Sequence, residues 1–198
     1  MIYLYGDSHA EFSFRGLSLP HDCRREYSVT MYRIGRDKRV VNWRPCTPND
    51  ITVFAFGEVD CRAHVGKQIE LGRNENEVIS VLATEYIDTI RRTSSGRIII
   101  VAVIPPTTST DLMKAQPNLQ ARDYPYVSSD QDRLRYTHKL NARLAEICNE
   151  YSITFFNPYA PYAREDGFLK RELCDTVGLH VGNSSYVLDS FMTLIQQL

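Results

Sequence analysis

Gly6-Asp7-Ser8-His9 follows the short apolar run Ile2 to Tyr5, and far along the chain Asp175-Thr176-Val177-Gly178-Leu179-His180 precedes the last amphipathic stretch. A serine hydroxyl is a weak nucleophile until a base takes its proton, and an imidazole serves best as that base when a third group fixes its orientation. These two segments hold all three parts. Ser8 is the candidate nucleophile, His180 the base and Asp175 the acid that orients it. Gly6 lets the chain reverse after a strand, so Ser8 would sit at the strand's carboxyl end. A helix starting there would offer backbone N–H groups to an anion forming beside the serine. Each part has a plainer reading: Asp and Ser are ordinary helix caps, and a lone loop histidine is commonly surface decoration. The combination is what points to chemistry.

The elements that must carry these residues are legible as alternating periods. Short apolar runs read as strands at Ile2 to Tyr5, Ser28 to Ile34, Ile51 to Phe56, Ile98 to Ile104 and Ile153 to Phe156. Their near-continuous apolar character is what a parallel sheet covered on both faces requires. Between them lie amphipathic helices. Asn74 with Glu77 forms a capping signal before Val78, Val81, Leu82, Ile87 and Ile90. Ser129 and Asp132 open a second helix carrying Leu134, Leu140, Leu144 and Ile147. A third follows Asn183, with Val187, Phe191, Leu194 and Ile195 on one side. Long connections are expected over 36–50 and 105–127. The expectation is a single domain over 1–198, an α/β fold whose five-stranded parallel sheet is sandwiched between helices. In such sheets ligands sit at the carboxyl ends of strands.

Composition narrows the function. The 198 residues are 43% hydrophobic and 24% charged, with a formal net charge of −1. That balance argues against nucleic acid or an anionic membrane as the main partner. Cys23, Cys46, Cys61, Cys148 and Cys174 form no C-x-x-C pair, so neither a disulfide framework nor a zinc ribbon is expected, and no cofactor or metal is called for. Met1 to Gly6 lacks the basic start and long apolar core of a secretory signal, and no stretch approaches a membrane span. A cytoplasmic protein is expected. The oligomeric state is not legible.

Taken together, the blocks resemble those of the SGNH, or GDSL-type, hydrolase superfamily over nearly the whole chain. That resemblance implies a flavodoxin-like three-layer α/β/α sandwich and a serine mechanism acting on acyl groups. Gly6-Asp7-Ser8 matches the first block, with His9 where the family often has leucine. The family's glycine after the second strand maps to Gly35, whose amide would join that of Ser8 at the oxyanion. The Gly-x-Asn-Asp block maps to Gly57-Glu58-Val59-Asp60, where Val59 replaces the asparagine that would donate to the oxyanion. Arg62 is the candidate replacement donor; its plainer reading is an ion pair with Glu58 or Asp60. Asp7, His9, Glu58 and Asp60 complete the candidate oxyanion and substrate contacts. Cys61 reads as a buried small residue. In the last block the family places its acid three residues before the histidine, where this chain has Val177; Asp175 lies five before, and Asp166 is the substitute.

The resemblance implies a serine esterase or deacylase for a small polar ester. Trp43, Arg122, Tyr124 and Tyr126 in the long loops suit an O-acylated saccharide better than a lipid. A glycan-modifying O-transferase, by acyl or less readily methyl transfer, and a binding module with weak catalysis are the alternatives.

Overall fold

The computed structural model describes residues 1–38, 44–117 and 127–198. The chain opens with β1 (Ile2–Gly6) and α1 (Ser8–Ser13), then β2 (His21–Arg25), α2 (Met31–Asp37) and β3 (Ile51–Ala55). A π-helical turn (Asp60–His64) leads into α3 (Val65–Glu70) and the long α4 (Glu75–Thr93). There follow β4 (Arg97–Val101), α5 (Ser109–Ala115), α6 (Asp130–Glu150), β5 (Thr154–Phe156), α7 (Tyr159–Tyr162) and α8 (Ser185–Gln197). The sheet is parallel throughout, with strand order β2-β1-β3-β4-β5. That is the flavodoxin-like order expected of a three-layer fold.

Burial follows the sheet's two faces. Tyr5, Phe54, Phe56 and Ile100 pack with Ile34, Tyr86, Ile90 and Leu140 of α2, α4 and α6 on one side. Leu4, Val53, Ile99 and Val101 pack with Phe14, Val187 and Phe191 of α1 and α8 on the other. The central strands therefore need apolar side chains facing both ways, which is why they were readable as strands. The helix caps read from sequence are present. Asn74 Oδ1 accepts from the amides of Asn76 and Glu77, and Ser129 Oγ accepts from that of Asp132.

The second strand is a correction. Ser28 to Ile34, expected as a strand, leads into α2 instead, and the strand is the polar segment His21–Arg25. β2 lies at the sheet edge and pairs only with β1, so its side chains stay half-exposed and need no apolar run. The helix start is capped locally and from outside: Thr30 Oγ1 accepts from the amide of Arg33, and the distant Asp60 accepts from those of Met31 and Tyr32 at 2.8 and 3.0 Å. Three amides of the first turn are thereby satisfied. Of the expected long connections, the second contains α5, and Arg36 and Asp37 belong to α2. Among the described residues, no helix is long and apolar enough to cross a membrane.

Candidate active site

Ser8 is the first residue of α1, directly past the carboxyl end of β1. The turn that puts it there depends on Gly6, because a Cβ at that position would run into Ala10 Cβ and the Ala55 carbonyl. Asp7 caps the helix, with Oδ1 accepting from the His9 amide at 2.8 Å.

The segment before α8 folds back onto this turn. Cys174 and Val181 form an antiparallel bridge, and the Asp175 amide donates to the His180 carbonyl at 2.9 Å. The residues between close a tight loop in which Gly178 takes a φ of +75°. That loop absorbs the two extra residues between acid and base. Asp175 Oδ1 accepts from the amides of Leu179 and His180, leaving Oδ2 at 2.8 Å from His180 Nδ1. His180 Nε2 lies 2.9 Å from Ser8 Oγ. Acid, imidazole and hydroxyl thus stand in one line. Asp166, the substitute acid, is instead paired with Arg164 at the surface.

The electrostatics follow from these contacts. Burial raises the proton affinity of Asp175, but the His180 ring and the two loop amides outweigh it, and the carboxyl is held below its usual range. His180 is held below the ordinary imidazole value by burial and by the neighbouring His9, against the pull of Asp175. Asp7 is also depressed: burial opposes ionisation, and contact with His9 wins.

The remaining candidates are placed unevenly. Arg62 Nε lies 3.1 Å from Glu58 Oε1, the pairing given above as its plainer reading. Glu58 in turn lies 4.0 Å from His9 Nδ1. Asp7, His9 and Glu58 are each largely buried in the wall of the site. Asp60 is a correction. It is fully buried with both oxygens spent on α2, and desolvation pushes its carboxyl up to about 7. Gly35 is a second: because α2 begins at Met31, this glycine lies within a helix against Glu85 and Tyr86 rather than in a turn after β2. In that turn Ser28 takes a φ of +57°, a conformation that favours glycine. Cys61 is buried, and desolvation raises its thiol beyond the reactive range.

Phe12 was missed. Its ring stacks on His180 with centroids 4.3 Å apart and planes 8° from parallel. Four residues after Ser8 on one helix, it shares the serine's face, which was the available signal. Trp43, Arg122, Tyr124 and Tyr126 lie outside the described residues. Among the described residues, no group of three or more His, Cys, Asp or Glu side chains is placed to hold a metal ion.

No protein-family model and no curated protein matches the chain. Solved structures do. A GDSL-like lipase from Bacteroides thetaiotaomicron superposes with a TM-score of 0.65 at 19% identity, covering 99% of this chain and 85% of that one. A catalytic mutant of an acetylxylan esterase from Geobacillus stearothermophilus gives 0.57 at 12% identity, covering 98% and 93%. An extracellular lipase from Streptomyces rimosus gives 0.53 at 10%, covering 97% and 98%. With its strand order, its turn after β1 and these likenesses, the chain has the fold of the SGNH, or GDSL-type, hydrolase superfamily.

Proposed function

We propose that the chain is a serine esterase or deacylase for small polar esters, with Ser8 as nucleophile, His180 as general base and then acid, and Asp175 as the orienting carboxylate. The observation that carries this reading is the Asp175–His180–Ser8 line, with contacts of 2.8 and 2.9 Å. His180 Nε2 takes the Ser8 proton as Oγ bonds to the acyl carbon, and the carbonyl π pair moves onto oxygen. When that pair returns, the ester C–O bond breaks and the alcohol leaves with the proton from His180. Water, deprotonated by the same imidazole, then releases the acid and restores Ser8.

The Ser8 amide is the oxyanion donor that this chain keeps. Val59 offers no side-chain donor where the superfamily has asparagine, and loss of one such donor typically costs about 100- to 1000-fold in turnover. A slow hydrolase is therefore expected. An O-acylated saccharide is the substrate class favoured here, since one protein of this fold is an acetylxylan esterase.

Incubation with a fluorophosphonate probe tests the reading. A covalent adduct on Ser8, absent in Ser8→Ala, is expected, together with release of acetate from acetylated xylo-oligosaccharides. A folded wild-type protein that gains no adduct would sink the serine mechanism and leave a binding module. Faster acyl release in the presence of an acceptor sugar would identify a transferase.

A further inference from the structure

His9 is the residue of this site that the serine mechanism leaves unused. It stands next to Ser8 on α1, is 6% exposed, and neither ring nitrogen makes a hydrogen bond of good geometry. Nδ1 lies 3.3 Å from Asp7 Oδ1 and 4.0 Å from Glu58 Oε2. The ring centroid is 4.7 Å from that of His180, with the planes inclined by 50°. Leucine or another apolar side chain could fill this space without the cost of burying an imidazole. A histidine there, faced by two carboxylates, is a charged group or a wasted one.

The charges around it decide which. Asp7 belongs to its own turn, and Glu58 and Arg62 come from the connection after β3. His180, backed by Asp175, comes from the loop before α8. Asp60, beneath α2, carries the influence of Asp7 and Glu58, and Arg15 lies 4.4 Å over the ring of Phe12, which itself stacks on His180. Arg62 answers one of the two carboxylates facing His9. A proton on His9 answers the other.

We propose, building on the serine-hydrolase reading, that His9 is a positioning residue for the base: an imidazolium held by Asp7 and Glu58 that fixes the His180 ring beside Ser8 and keeps it unprotonated as the pH falls. The directions agree. Burial works against a charge on His9, but Glu58 and Asp7 outweigh it and raise its proton affinity, while burial and His9 lower that of His180. Two like charges 4.7 Å apart in a buried site disfavour one another. The pair therefore takes its protons in two steps, His9 first. Asp175, the carboxylate partner of His180, pulls the other way. With His9 charged, the site should stay active further into acid.

The test follows the imidazole NMR signals of His9 and His180 through a pH titration of the intact protein, alongside the rate of Ser8 phosphonylation by the fluorophosphonate. His9 is expected to titrate above His180 in the wild type. In His9→Leu, the His180 midpoint and the acid limb of the labelling rate should both move up together. His180 titrating first, or a midpoint and limb unchanged in the variant, overturns the proposal; a residue that merely fills space would move neither. Should His9→Leu fail to fold, His9→Gln removes the charge while keeping polarity, and the wild-type order needs no variant. The two readings fail separately. Absence of labelling at every pH removes the hydrolase reading, and the NMR order still decides the role of His9.

Discussion

At the scale of single residues, Asp175 has the most to hold in place. It accepts from His180 Nδ1 and from the amides of Leu179 and His180, so one carboxylate fixes both the imidazole and the loop that carries it. Asp175→Asn keeps the shape but can present an N–H to Nδ1, favouring the wrong tautomer of His180. Turnover and Ser8 labelling are expected to fall about 1000- to 10,000-fold, measured as kcat/KM on a p-nitrophenyl ester. Its folded-state affinity for a proton lies below the unfolded value of 3.8, so the stability it contributes is present above that value and is lost as the pH falls through the depressed one. The substitution should therefore flatten the acid limb of Tm against pH. Asp175 was singled out despite lying five residues before His180, and the fold brings the two to 2.8 Å. Phe12 was not read at all, because an aromatic on a short helix has many uses and only the folded contact with His180 selects one.

At the scale of elements, Ser8, the proposed nucleophile, is placed by how closely α1 approaches the sheet. Gly6 is in register with Ala55 of β3 and lies beneath Ala10 of α1, with no room for a methyl group between them. Gly6→Ala must push the helix outward or part the strands. An overpacked core position costs about 1–3 kcal/mol, and occasionally more, so a Tm lowered by several degrees is expected in calorimetry. Ser8 labelling should fall further than the lost stability explains, because the hydroxyl moves with the turn. α2 shows why some elements escaped the sequence. Val29, Thr30, Met31, Tyr32 and Ile34 have the β-branched and aromatic types of a strand, yet the buried carboxylate of Asp60, distant in sequence, caps the segment as a helix. Reading that segment as the second strand carried Gly35 into the site. The helix takes it out again.

At the scale of the whole molecule, the sheet ties two apolar layers together, and the site draws on parts of both ends of the chain. Ser8 belongs to the first β/α unit and His180 to the loop before the last helix, while β1, at the sheet's interior, pairs with β2 and β3. Losing either layer uncovers one face of strands whose opposite face packs on the other layer, so the two layers share the same strands. We expect urea unfolding to be one cooperative transition, with far-ultraviolet and tyrosine near-ultraviolet circular dichroism changing together and Ser8 labelling lost at the same midpoint. Separate midpoints would divide the chain into independently folding parts.

The amino-acid sequence by itself marked the central strands and the long capped helices, and it named Ser8, His180 and Asp175 as candidates. These depend on local pattern: apolar runs for strands buried on both faces, side-chain caps within three residues, and motifs read along the chain. The tertiary structure decided the polar edge strand β2, the helix α2 and the true surroundings of the base. An edge strand has too little burial to mark its sequence, and a cap supplied from Asp60 leaves no trace near the helix it starts. The cluster of Asp7, His9, Glu58 and Arg62 beside His180 exists only after three distant segments meet. Burial then sets the strength of its charges, and burial is a property of the fold.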